Sequence, residues 1–177
     1  EYSKRLSKKY KAEIYIKRED LQDVRSYKIR GSYNKMSQLT DDEKKRGVVA
    51  ASAGNHAQGV AFAANSLKIK TTIFMPATTP LQKINRVQNF GDGFVEIQLI
   101  GSNYDEASKV AHKFCDKRNA VFVHPFDDSD VIAGQGTVGI ELYEELGEKI
   151  DVIVAPIGGG GFISGVASYF KEINPKV

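Results

Sequence analysis

Apolar residues fall along this chain in short runs that alternate with longer amphipathic stretches, almost from end to end. Runs at Ile14-Tyr15-Ile16, Val48-Val49-Ala50, Thr72-Ile73-Phe74, Val95-Glu96-Ile97, Val121-Phe122-Val123 and Val152-Ile153-Val154 predict strands. Helix-length segments lie between them, over Gly31 to Leu39, Asn55 to Leu67, Leu81 to Phe90, Tyr104 to Lys117 and Gly136 to Leu146, and a last helix is expected to open near Phe162. Tyr104, Ala107, Ala111, Phe114 and Cys115 follow the i, i+3, i+4 spacing of one helix face. Such alternation implies an α/β fold, a mainly parallel sheet covered by helices on both faces.

The pattern breaks near Thr40-Asp41-Asp42 and again in the stretch Pro125 to Asp130. Between the breaks, four strands and three helices make one compact unit. The expected division is therefore a small α/β domain over 41–128, with 1–40 and 129–177 as two parts of a larger domain. Both ends read as cut. Ser3 to Tyr10 resembles the tail of a helix, and the last strand-loop-helix unit stops at Pro175-Lys176-Val177, where another strand is expected.

The length of 177 residues suits one domain and part of a second. No apolar run approaches the ~18 residues of a membrane span, and no leader pattern stands at the start, so a cytoplasmic protein without membrane contact is expected. The net charge of +3 arises from 25 basic and 22 acidic residues mixed along the sequence. A nucleic-acid surface would gather its basic residues on one face, and none is expected. Cys115 is the single cysteine, which excludes an intrachain disulfide and reads as a small core residue. His112 and His124 have no second ligand at metal spacing, so no metal site is expected.

Three segments carry candidate chemistry, each where a strand should hand over to a helix. In Ser26-Tyr27-Lys28-Ile29-Arg30-Gly31, a lysine stands at a helix start, where the dipole favours anions. It is either a solvated surface lysine or an amine whose pKa is lowered to make it nucleophilic. In Ser52-Ala53-Gly54-Asn55-His56, small residues enter a tight turn before a helix. Free N–H groups there suit a carboxylate, although Ser or Asn also serves as a plain cap. In Pro156-Ile157-Gly158-Gly159-Gly160-Gly161-Phe162, four glycines let several N–H groups converge on one anion, or make a flexible turn. The spacing fits neither a Walker loop nor the dinucleotide fingerprint. A phosphate cradle, a carboxylate cradle and an oddly placed lysine together are what an amino-acid-handling pyridoxal-phosphate enzyme requires.

These residues carry a family resemblance. Ser26 to Gly31, with Lys17-Arg18-Glu19-Asp20-Leu21-Gln22 before it, resembles the lysine motif of the serine/threonine dehydratases, in the tryptophan-synthase-β-like (fold type II) group of pyridoxal-phosphate enzymes. Ser52 to His56 is similar to that family's substrate loop and Gly158 to Gly161 to its phosphate loop. Pro125-Phe126-Asp127-Asp128 and Gly134-Gln135-Gly136-Thr137 match the stretch between. The resemblance spans essentially the whole chain. It implies the three-layer parallel-sheet fold of that group, with the larger domain binding pyridoxal 5′-phosphate.

By position, the resemblance implies that Lys28 carries the cofactor and later moves the Cα proton. Tyr27 would pack beside the cofactor and Asn55 would bond its 3′-oxygen. Gly158, Gly159, Gly160 and Gly161 would hold the phosphate. Ser52, Ala53, Gly54, Asn55 and His56 would form the substrate site, and relatives that racemise serine look to carry a serine where Ala53 stands. The implied reaction converts L-threonine to 2-oxobutanoate and ammonia, in isoleucine biosynthesis or threonine catabolism, in a homo-oligomer of the full-length protein. Alternatives are an L-serine dehydratase or serine racemase and, from another class, a non-catalytic fragment that binds an anion or amino acid. Two departures stand out. The usual Thr-Pro-Leu segment before the first helix is absent, and the group's hydroxyl partner for the pyridine nitrogen would lie beyond residue 177.

Overall fold

A computed structural model describes residues 1–177. Its centre is a four-stranded parallel sheet of β1 (Val48–Ala51), β2 (Thr71–Met75), β3 (Val95–Leu99) and β4 (Val121–Phe122), in the order β3-β2-β1-β4. The two inner strands, β1 and β2, are buried along their whole length. That explains why they read as continuous apolar runs instead of alternating ones.

Alternate residues of the strands build two separate cores. Val48, Ala50, Ile73 and Met75 pack with Ala57, Val60, Ala61 and Ala64 of α4 (Asn55–Leu67) and with Val87 of α5 (Leu81–Gly91). Val49, Ala51 and Phe74 meet Ala111 and Cys115 of α6 (Tyr104–Arg118) on the opposite face. Cys115 is buried there, its thiol donating to the Ala120 carbonyl at 3.1 Å, and burial pushes its pKa up. A protonated thiol in that setting is inert.

The remaining helices are α1 (Lys4–Tyr10), α2 (Lys28–Ser37), α3 (Asp41–Arg46), α7 (Ser129–Leu146) and α8 (Gly161–Ile173). α2 lies between α4 and α7, and α7 packs on α8. Gly59 makes the first of these crossings possible, because a Cβ there would sit 3.0 Å from the backbone carbon of Lys28. The start of α2 is thereby pressed against α4, beside the end of β1.

Several expectations need correction. Ile14 to Ile16 is not a strand: Tyr15 makes one antiparallel bridge to Tyr2, and no sheet stands beside it. Val152 to Val154 joins no ladder, and Val152 and Val154 are 75% and 94% exposed. Apolar sequence supplies strand propensity, but only a neighbouring strand supplies the hydrogen bonds. Two helices start earlier than expected, α2 at Lys28 and α7 at Ser129, where Asp128 Oδ1 accepts from the N–H groups of Asp130 and Val131. The break at Thr40 is itself a helix start. Thr40 and Glu43 form a reciprocal capping box that opens α3.

Candidate active site

Lys28 is the first residue of α2, and the preceding chain is a turn, with Arg25 at φ +58°, not the expected strand. Its amine is half-buried, and that burial holds its pKa below the ordinary lysine range. The Nζ donates to the backbone carbonyl of Pro125, 97 positions away. With a carbonyl partner and no carboxylate, no counter-charge offsets the lowering by burial, a setting that suits a nucleophilic amine.

The glycine segment lies against the same place. Gly159 and Gly161 approach Phe126 so closely that a side chain on Gly159 would overlap its ring. Gly160, at φ +89°, turns the chain into α8. Two residues on, Phe162 stacks against Tyr27 with ring centroids 4.2 Å apart. Tyr27 in turn has the Lys28 Nζ 5.6 Å from its own ring centroid. Lysine, Tyr27, Pro125, Phe126 and the glycines therefore form one contiguous patch, although they come from three distant stretches of sequence.

The third segment follows β1. Ser52 stays tied to the sheet through its N–H to Phe74 O at 3.0 Å, and its hydroxyl accepts from the Gly54 N–H at 3.1 Å. Asn55, exposed, is the first residue of α4. His56 turns inward. Its side chain is buried, Nε2 donates to Val123 O at 2.9 Å, and burial lowers its pKa to about 4. What His56 offers the loop is its backbone N–H, and its neutral ring fastens α4 to the end of β4. Ala53 packs against the core instead of standing free.

Helix starts separate structural from available donors. α3, α6 and α7 are capped by the side chains of Thr40, Asn103 and Asp128. α2, α4 and α8, which open on the three candidate segments, carry no side-chain cap at the N-cap residue. The first N–H groups of α4 and α8 remain free for an anion, whereas in α2 those of Lys28 and Gly31 bond Ser26 Oγ and Gln135 Oε1. α1 and α5 also lack caps, so this feature counts only together with the lysine and the glycine loop.

Sequence reading gave no role to His124. Its Nδ1 accepts from the N–H groups of Asp127 (2.8 Å) and Phe126 (3.3 Å), which shapes the loop bearing Pro125 O and Phe126. Burial lowers its pKa, consistent with an unprotonated acceptor nitrogen. No local signal marks such a side-chain-to-backbone bond.

A family profile described as "Pyridoxal-phosphate dependent enzyme" matches residues 1–177. The chain belongs to that family. It is 50% identical over 171 residues to the L-threonine dehydratase biosynthetic IlvA of Bacillus subtilis (strain 168), covering 97% of this chain and 40% of that protein. It is 52% identical over 176 residues to the L-threonine ammonia-lyase of Thermotoga maritima, covering 99% of this chain and 43% of that protein. The chain thus spans about two fifths of the length of these relatives.

Among solved structures, it superposes on the processed form of threonine deaminase isoform 2 from Solanum lycopersicum with a TM-score of 0.95 and 45% identity, covering the whole chain and 48% of that structure. Maize serine racemase matches with a TM-score of 0.94 and 36% identity, over the whole chain and 53% of that structure. The α/β fold is that of the fold type II pyridoxal-phosphate enzymes, and pyridoxal 5′-phosphate is the family's cofactor. The residues present fit that group: a depressed-pKa amine suits its aldehyde, and the uncapped, side-chain-free start of α8 suits its phosphate.

Proposed function

We propose that the full-length protein is a pyridoxal-phosphate-dependent L-threonine ammonia-lyase that releases 2-oxobutanoate and ammonia. The single observation that carries the reading is the Lys28 amine. It is half-buried, without a carboxylate partner, and set beside Pro125, Tyr27 and the glycine segment. Identity near one half to proteins named for threonine supports the choice of substrate.

In this assignment Lys28 binds the cofactor and Gly158 to Gly161 cradle its phosphate with backbone N–H groups. Tyr27 flanks it and Asn55 bonds its ring oxygen. When bound, the cofactor supplies an electron sink for charge left at the substrate Cα. The protein's own groups do the remainder. The N–H groups around Ser52, Ala53, Gly54, Asn55 and His56 receive and orient the substrate carboxylate. The Lys28 amine, its pKa lowered by burial, accepts the Cα proton. The buried His56 ring holds the loop that does the orienting.

The reading extends to architecture and setting. Residues 41–128 form the small domain, and 1–40 with 129–177 belong to the larger cofactor-binding domain. The whole enzyme works as a cytoplasmic homo-oligomer in amino-acid metabolism, and isoleucine biosynthesis is the setting that fits the word "biosynthetic" in its relative's name. No helix here is long and apolar enough to cross a membrane.

The test is chemical. Borohydride reduction of the cofactor-loaded full-length enzyme, followed by peptide mapping, should find the pyridoxyl group on Lys28, and Lys28→Ala should lose the visible absorbance band. Label on Lys17, Lys35 or another lysine would refute the assignment.

A further inference from the structure

At the far end of the sheet from these loops, the turns that feed β1, β2 and β3 enclose a cleft of about 330 Å³. In parallel α/β sheets, ligands gather at the carboxyl ends of the strands. This cleft lies at the amino ends, so the chemistry described above does not account for it. Arg46, Lys70 and Arg118 line it, far apart in sequence and brought together only by the fold. None of the three makes an ion pair. Lys45 stands at the rim but is 3.5 Å from Asp42. Glu96 is the one acidic residue in the lining, and its Oε1 is engaged by the side-chain amide of Gln98.

Each unpaired cation is held in place by something other than an anion. Arg46 Nε donates to Asn119 O at 2.6 Å, which leaves its two terminal nitrogens free. Lys70 Nζ donates to Gly93 O at 3.2 Å and lies 5.1 Å from the Phe94 ring centroid. Arg118 lies 4.4 Å from the centroid of Phe114. Aromatic faces and carbonyls thus position three exposed like charges around one cleft, an arrangement that favours a multiply charged anion over a singly charged one. The rings of Phe94 and Phe114 are engaged by these cations, Lys68 also standing 4.9 Å from Phe94, so stacking of a nucleobase is not what the cleft is shaped for.

We propose that this cleft is a second, non-catalytic site for a small phosphorylated ligand carrying at least two negative charges. Phosphoryl groups concentrate that charge in the smallest volume and match the guanidinium fork. The site is separated from the Ser52 loop by the length of β1, roughly 10–13 Å at the rise of a strand, so its occupant is not the substrate.

Inorganic pyrophosphate titrated calorimetrically into the full-length enzyme is the test. One saturable site is expected, weakening as potassium chloride is raised. Lys70→Gln with Arg118→Gln should raise the Kd by about tenfold or more, with activity on threonine unchanged, whereas Lys70→Arg with Arg118→Lys should retain binding. Circular dichroism on both pairs separates lost binding from lost fold. Three results would each overturn the proposal: no saturation in the millimolar range, equal affinity in the Gln pair, or sulfate binding as tightly as pyrophosphate. A short single-stranded oligonucleotide binding more tightly than pyrophosphate would overturn the small-ligand assignment.

Discussion

Glu141 accepts two hydrogen bonds from Arg30, at 2.6 and 2.9 Å, across 111 positions of sequence. The same guanidinium reaches Glu19 at 2.7 and 2.8 Å and Thr137 at 3.0 Å, so all five of its N–H donors are used. Arg30 is only two residues from Lys28. The network ties α2 to α7 and to the turn at Glu19–Leu21.

Removing the cation should therefore cost more than a surface pair would. Arg30→Met leaves Glu19, 13% exposed, without a cationic partner, while Glu141 keeps Lys17. A loss of about 2–4 kcal/mol in chemical denaturation is expected, by analogy with half-broken buried pairs. The Glu141 carboxyl is held down to about 2, chiefly by its hydrogen bond from Arg30. Because that folded value is depressed, its contribution is complete above the ordinary carboxylate range and is lost as pH falls toward about 2. Glu141→Gln should flatten that acid limb, and an unchanged limb would show that the pair adds no pH-dependent stability.

His56 gives a second window, set higher. Its folded pKa of about 4 lies below the ordinary 6.5, with burial the main cause. Above 6.5 both folded and unfolded states are neutral. As pH falls toward 4 the unfolded chain takes up a proton that the folded chain refuses, so stability should decline by at most about 1.4 kcal/mol per pH unit from this group. Urea titrations at several pH values through that window should show the decline, and His56→Gln should shrink it. An identical slope in the variant would assign the effect elsewhere.

Much of this molecule could be read before it was seen. The α4 span and the starts of α5 and α6 follow directly from periodicity, because their apolar faces meet a sheet buried on both sides. The lysine and both loops are visible as residue types in order. The Lys28 to Pro125 contact, the His124 cap on the Phe126 loop and the Arg30 network are not, since each joins side chains to distant partners and leaves no periodic trace. The gathering of Arg46, Lys70 and Arg118 was hidden for the same reason: charges mixed along the sequence can still meet at one edge.

The glycine segment offers a graded test. A Cβ on Gly158 meets nothing within 4 Å, whereas one on Gly159 would strike Phe126. Gly158→Asp should therefore leave the melting temperature nearly unchanged while weakening cofactor affinity by about tenfold or more, because a carboxylate would oppose the phosphate. Gly159→Asp should lose both affinity and stability. Unchanged affinity in Gly158→Asp, read by absorbance titration, would reduce the glycines to a turn.

Racemisation should be absent or slight. It needs a second acid-base group opposite Lys28, and the Ala53 methyl can neither give nor take a proton. Chiral chromatography of L-serine incubated with the full-length enzyme should detect pyruvate and little D-serine. D-serine formed at a comparable rate would contradict this reading of the loop.

The unpaired stretch at Val152 to Val154 bears on how the chain behaves in the test tube. No charged residue occurs between Asp151 and Lys171, so a long apolar and glycine-rich segment runs without a gatekeeper. Val152 and Val154 point into solvent while Ile153 packs inward, and the backbone donors and acceptors of this stretch have no ladder to satisfy them. A flat, open edge of this kind is a template for other strands. Concentrated samples of these 177 residues alone should accordingly aggregate through this segment, and a lysine at Val154 should keep them dispersed.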